Sequence, residues 1–464
     1  MSFGKRRARA GHLQAAAAAA VALAAGSLLL LGGGAVGAVR TQSSGSAGLA
    51  ANTGGPASVR LTGIAEEVAV DPTTDVAYVT LVNGNSPSGG VAVIDLATAT
   101  VTATLTAGLY PKEIAVDPAT DTVYVADTGS DTVDVIDGAT NTVTASIPVD
   151  PTAPGILHGI AVDPATNTVY VADNSKTTLG LAVINGDTDT VVARISGPCF
   201  YQQGMTEAVA VNQATDTVYT ICAGYGTERT LVINGADNSV TGDIPGGDRV
   251  TSLAVDPSSH TLFVSDARRP ARQPNEYTVS AFNAATDALI GTVATAGQPT
   301  SLAVDPATHT LYDYQEFDGI DLINAAGTAV TGQVPLPNDV GEFAADPATD
   351  TLVYADASGS TIPYDSSVLL FALRAPRITS RAGATFTPGR RGVFTVRTSG
   401  LPVASLAETG ALPRGVRFTA AANGTASVTG TPAKSARHKT YVLRLTARNG
   451  VGATATQRFT LTIS

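Results

Sequence analysis

The side chains able to do chemistry in this chain gather at equivalent points of one recurring phrase. The pairs Glu66-Glu67, Lys112-Glu113, His158-Gly159, Glu207-Ala208, Thr251-Ser252, Thr300-Ser301 and Gly341-Glu342 each stand just before an apolar segment that ends in Asp or Asn. Adjoining stretches add Tyr110, Tyr201 and Tyr225, and the arginines Arg268, Arg269 and Arg272. Carboxylates gathered with one amine and one imidazole can hold a cation or a polar ligand. Glutamates on a metal, with His158 as general base, would instead support lyase or lactonase chemistry. A histidine on a wet rim is more often solvated than catalytic. No histidine pair has metal-ligand spacing, and neither a Gly-x-Ser-x-Gly elbow nor a phosphate loop is present. The residues therefore read as a binding surface formed by Glu66, Glu67, Lys112, Glu113, His158, Glu207, Glu342, Tyr110, Tyr201 and Tyr225. No catalytic residue is assigned, and His158 takes that role only under the enzymatic alternative.

The phrase that carries these residues occurs seven times. It reads Val68-Ala-Val-Asp-Pro72, Ile114-Ala-Val-Asp-Pro118, Ile160-Ala-Val-Asp-Pro164, Val209-Ala-Val-Asn212, Leu253-Ala-Val-Asp-Pro257, Leu302-Ala-Val-Asp-Pro306 and Phe343-Ala-Ala-Asp-Pro347. The spacing of about 41 to 49 residues is that of a four-stranded propeller blade. In the second copy the strands are expected at Glu113–Val116, Thr122–Ala126, Thr132–Ile136 and Thr142–Ile147. Between them lie Asp-, Asn-, Gly- and Pro-containing turns, whose Asx side chains bond their own backbone. Such short strands cannot bury both faces alone, but blades stacked around an axis can. The seventh copy ends after its third strand, Val368–Leu373. Ala57–Thr62 matches the missing fourth, so this N-terminal strand is expected to close the ring and remove an exposed edge.

The phrase Ile114-Ala-Val-Asp-Pro-Ala-Thr-Asp-Thr-Val-Tyr-Val-Ala126, followed by Val133-Asp-Val-Ile-Asp137, resembles the YVTN-type propeller repeat of bacterial surface-layer and exported proteins. The resemblance covers residues 57–375 and extends to amine-dehydrogenase-like propellers. It implies the fold strongly and a function weakly, because such propellers host binders, lyases and lactonases. Ligands of these propellers meet the face where the innermost strands begin, which is where the glutamates, Lys112 and His158 fall. His260 and His309 fall in turns on the opposite face. Residues 376–464 alternate as a β-sandwich does. Gly410–Phe418, Gly424–Pro432, Tyr441–Asn449 and Gln457–Ile463 resemble a bacterial Ig-like domain of cadherin-like topology. Some relatives of that domain bind calcium, but Glu408 is its single acid here. The expected fold is all-β, a seven-bladed β-propeller closed by an N-terminal strand and followed by an Ig-like β-sandwich.

Composition fits this plan, with 5% aromatic residues, 14% charged residues and no Trp in 464 residues. Lys5, Arg6, Arg7 and Arg9 precede a charge-free stretch that ends near Val36-Gly37-Ala38, which reads as a signal peptide over 1–38. The alternative is an uncleaved anchor. Residues 39–56 read as a flexible linker. Export would let the two cysteines, Cys199 and Cys222, form a disulfide. Both are placed at one end of the fourth repeat, Cys199 just before its first strand and Cys222 at the end of its second.

Charge divides sharply. Residues 376–464 hold 13 Lys/Arg and one acid, a balance of +12, whereas residues 41–375 hold 10 against 38, or −28. The acidic propeller excludes nucleic acid as a partner, and an anionic wall polymer is an expected partner of the basic domain. The Asp-rich turns admit a weak calcium ring; otherwise no cofactor is expected. The functional expectation is a secreted or envelope-associated monomer, without a membrane span once the signal is cleaved. It would bind an extracellular protein or polar ligand through the propeller face.

Overall fold

The computed structural model describes residues 56–464 apart from 84–85, 152–155, 175–178, 197–204, 224–227, 247–248, 269–275, 316–317, 337–340 and 358–364. The expected signal peptide and nearly all of the linker lie outside the described residues.

Among the described residues, strands form nine four-stranded sheets. Each copy of the recurring phrase opens one of seven. In the second sheet the strands are Pro111–Asp117, Thr122–Asp127, Thr132–Asp137 and Thr142–Pro148, hydrogen-bonded in chain order. They extend the sequence expectation by one or two residues at several ends. The last of the seven combines Gly341–Asp346, Thr351–Asp356 and Asp365–Ala372 with Ala57–Thr62 from the chain's start. Ala57 pairs with Leu370 and Thr62 with Asp365, antiparallel throughout. Val59 and Leu61 enter a core shared with Val353, Val368, Val79 and Ile94, so first and last sheets bury one cluster. Ser366 fastens this seam. Its hydroxyl donates to Gly63 O at 2.8 Å and accepts from Ala65 N at 3.1 Å.

The innermost strands of successive sheets contact one another in turn, and the strand Gly341–Asp346 meets Ile64–Asp71 to complete the cycle. The faces between sheets are apolar. Tyr78, Tyr124, Tyr170, Tyr219, Tyr312 and Phe263, each the third residue of a second strand, are all nearly or fully buried. Sheets twisted around an axis and packed face to face in this way make a β-propeller.

At one end of the inner hairpins, the Asx turns form in all seven sheets. Oδ1 of Asp71, Asp117, Asp163, Asn212, Asp256, Asp305 and Asp346 accepts the amide two residues on. The residue closing each turn takes the left-handed conformation, from Asn167 at φ 49° to Asp75 at 57°. Asp, Asn and His tolerate it better than bulkier side chains do. These turn-closing residues face the preceding sheet. His309 Nδ1 lies 2.7 Å from Asp256 Oδ2, while Asp216 meets Asp163 and Asp75 meets Asp346.

Residues 374–463 form the remaining two sheets. One orders Arg374–Ile378, Gly392–Leu401, Thr425–Gly430 and Val416–Ala420. The other orders Gly383–Phe386, Ala455–Ile463, Thr440–Arg448 and Ser405–Gly410, the first pair parallel. Phe386, Phe394, Val396, Leu443, Leu445, Phe459 and Leu461 fill the core between them. Asn449 Nδ2 donates to Arg374 O and Pro402 O, each at 2.8 Å, and Leu401 and Val451 pack on the apolar cluster of the last two propeller sheets.

Candidate functional site

Six of the seven inner strands carry a β-bulge at the end where the candidate residues lie. The register shifts fall between Ala65 and Val68, Pro111 and Glu113, His158 and Ile160, Thr206 and Val209, Val250 and Leu253, and Pro299 and Ser301. A bulge frees residues from the ladder and re-aims their side chains. It also leaves backbone groups unpaired, and buried hydroxyls answer them. Thr80 Oγ1 accepts from Glu67 N at 3.0 Å and donates to Lys112 O of the next sheet at 2.7 Å. Thr220 donates to Ala208 O, Ser265 accepts from Ser252 N, and Thr251 donates to Pro299 O. The mouth is therefore stitched from sheet to sheet by the groups that permit its bulges.

The structure brings together Glu66, Glu67, Lys112, Glu113 and Glu342, from the first, second and seventh sheets. Lys112 Nζ stands 3.5 Å from Glu113 Oε1. Burial pushes the Glu67 carboxyl well above the ordinary range, and Glu342 and Glu113 push it further by repulsion. Glu342 is pushed up to about 7, chiefly by burial, against a hydrogen bond from Ser301 and with repulsion from Glu113 and Glu66. Glu66 and Glu113 are raised by burial too, the attraction of Lys112 opposing it. Lys112 is raised because Glu113, Glu66 and Glu67 together outweigh its desolvation. His158, on the neighbouring strand, is lowered by burial and by Lys112. Several carboxyls thus share one ammonium, an arrangement that disfavours full ionisation and attracts an incoming cation.

Other expected members stand apart or lie beyond description. Tyr110 is 48% exposed at φ 51° in the connection leading to Pro111–Asp117. Glu207 lies in strand Met205–Asn212, but its side chain lies outside the described residues, as does that of Arg268. Tyr201, Tyr225, Arg269, Arg272 and Cys199 lie outside the described residues altogether. Cys222 is buried at the mouth end of Thr217–Ala223 and is not a free thiol. Its pairing with Cys199 is a proposal. His260 and His309 occupy turns at the far end of their hairpins from the mouth.

Two buried acidic groupings escaped the sequence reading. Asp127 and Asp134 meet in the second sheet, and burial with the repulsion of Asp134 pushes Asp127 up to about 8. In the sixth sheet Gln315 Nε2 donates to Asp313 Oδ2 at 2.9 Å and to Asp321 Oδ2 at 2.6 Å. The signals were Asp313 in the second strand and Asp134 in the third, at positions where most sister copies carry an apolar residue. Among the described residues no group of three or more His, Cys, Asp or Glu could hold a metal ion.

No family model and no curated protein matches the chain. Solved structures do. Kuenenia stuttgartiensis hydrazine synthase is similar with a TM-score of 0.55 at 17% identity, over 67% of this chain and 96% of that one. The β-propeller domain of Myceliophteria thermophila Cps50 (Swd1) gives 0.53 at 13%, over 67% and 97%. U3-55K gives 0.52 at 10%, over 67% and 96%. At such identities the likeness shows the fold alone. The chain contains a β-propeller.

Proposed function

We propose that this is an exported, non-enzymatic binding protein whose seven-bladed, YVTN-type propeller takes up a cationic group at the mouth of its channel. The seven sheets and the unbroken cycle of inner-strand contacts support the blade count. The two C-terminal sheets are read as an Ig-like domain that contacts an anionic polymer of the cell envelope. The observation that carries the binding function is the gathering, among the described residues, of Glu66, Glu67, Glu113 and Glu342 around Lys112, with burial and mutual repulsion raising the carboxyls. A lysine- or arginine-bearing segment of an extracellular protein would replace that repulsion with attraction.

The test is calorimetric titration of the full chain with a lysine-rich peptide at pH 8, beside the variants Glu113→Gln and Glu342→Gln. Binding by the wild type that weakens in both variants supports the reading; equal binding by all three refutes it. An exported lyase or lactonase is the second reading. It draws on His158, which burial and Lys112 keep neutral and so able to accept a proton. A metal bound in stoichiometric amount and lost in His158→Ala would move the assignment to that enzyme.

A further inference from the structure

The sheet made of Gly383–Phe386, Ala455–Ile463, Thr440–Arg448 and Ser405–Gly410 has one face on the domain core and one in solvent. Leu443, Leu445, Ala447, Phe459 and Leu461 point inward and are fully buried. The alternate residues are therefore carried outward. Among them Arg444 lies directly opposite Arg458, and both are exposed. Like charges facing across a strand pair are destabilising unless something neutralises them. No acid does so. The domain's only carboxylate, Glu408, alternates with exposed Ala407 and Thr409 and is half-buried. Arg448 lies four residues along from Arg444 on the same face, roughly 13 Å away at strand spacing.

The surroundings of the pair are hydroxyl-rich and shaped. A shallow groove of about 460 Å³ runs over Thr409, Val442, Arg444, Thr456 and Arg458. Thr409 is opposite Arg444 in the ladder, Thr446 opposite Thr456, and Ser405 opposite Arg448. Val442, 43% exposed, adds a small apolar floor. Arginine forks match planar or tetrahedral oxyanions, and hydroxyls match hydroxyls. The other sheet also exposes arginines, but Arg397 is opposite Thr425 and Arg417 opposite Thr429, with no arginine facing another.

We propose that this outer face is a docking surface for an anionic polysaccharide, with Arg444 and Arg458 clasping one acidic group and Arg448 the next along the chain. The inference deepens the envelope-contact reading and rests on it. Binding of the full chain to alginate is measured at low salt, with neutral dextran and sodium polyphosphate as comparison polymers. The expected result is binding to alginate but not dextran. Losing two charge-assisted contacts in the double variant Arg444→Gln/Arg458→Gln should weaken it by about tenfold or more. The double variant Arg397→Gln/Arg417→Gln removes the same charge from the other sheet and should bind as the wild type does. Equal weakening in both variants overturns the assignment to this face while leaving envelope contact standing. No binding to alginate, or binding to polyphosphate alone, overturns the polysaccharide reading itself. All four arginines are exposed, so each variant is expected to melt with the wild type.

Discussion

Glu342→Gln should stabilise the protein increasingly as pH rises above about 4.5, with the full effect reached above about pH 7. In the folded chain Glu342 titrates at about 7 instead of 4.5. Its folded state therefore keeps a proton that the unfolded state has released. Stability is highest when both states are protonated, below about pH 4.5, and falls as pH rises toward 7 and above. A folded value of about 7 against the ordinary 4.5 corresponds to roughly 3 kcal/mol of destabilisation once the carboxylate is forced to ionise in place. Gln keeps a polar group for the contact with Ser301 but cannot ionise. Urea unfolding at pH 4, 6 and 8 in low-salt buffer reads the difference. Near pH 4 the variant and wild type should unfold together; at pH 8 the variant should be more stable by up to about 3 kcal/mol. Part of this gain comes from relieving Glu67, which Glu342 repels. A variant equally or less stable than wild type at every pH would refute the crowded-carboxyl account of the mouth.

The opposite turn face should respond differently. Burial tends to raise Asp256, but hydrogen bonds from Ser258, Ser259 and His309 lower it below the ordinary range, so its stabilisation is present at neutral pH and lost as pH falls through its folded value. His309→Ala should cost about 1 kcal/mol at pH 7 in urea unfolding, the difference fading in acid. Gly138→Ala would drive a methyl into Asp121 Oδ1 and set it 2.8 Å from Asp121 O. A loss of about 1–3 kcal/mol is expected in the same assay. Ser366→Ala leaves Gly63 O and Ala65 N without their buried partner. It should cost about 2–4 kcal/mol and speed amide exchange in Ala57–Thr62 before other strands.

The propeller was legible because each copy states the same local chemistry. Asp117-Pro-Ala-Thr-Asp121 predicts an Asx turn from its own residues, and Ala119 N does donate to Asp117 Oδ1 at 2.8 Å. The closing strand was legible by subtraction, as the fourth strand that the seventh copy lacks. What sequence could not provide is which residue meets those aspartates from the neighbouring sheet. Asp163 meets Asp216 and Asp346 meets Asp75 across seams between sheets, a relation set by the ring and not by neighbours in the chain. The bulges were hidden for a related reason. Glu66-Glu67 and Lys112-Glu113 read as ordinary strand openings, and only the ladder reveals the residues that have no partner. That Glu66, Glu67, Lys112, Glu113 and Glu342 open inner strands could be read in advance. The competition of these glutamates for one lysine could not.

The pairing of Ala57–Thr62 with Asp365–Ala372 also sets an order of events in time. A ribosome adding about 5–20 residues per second finishes the later strand roughly 15–60 s after the earlier one. Through that interval the first strand has no partner and the circle stands open, however well the intervening sheets have formed. Completion of the propeller is thus held back until almost all of it has been synthesised. A chain that must be threaded through a membrane before it folds would benefit from such a delay.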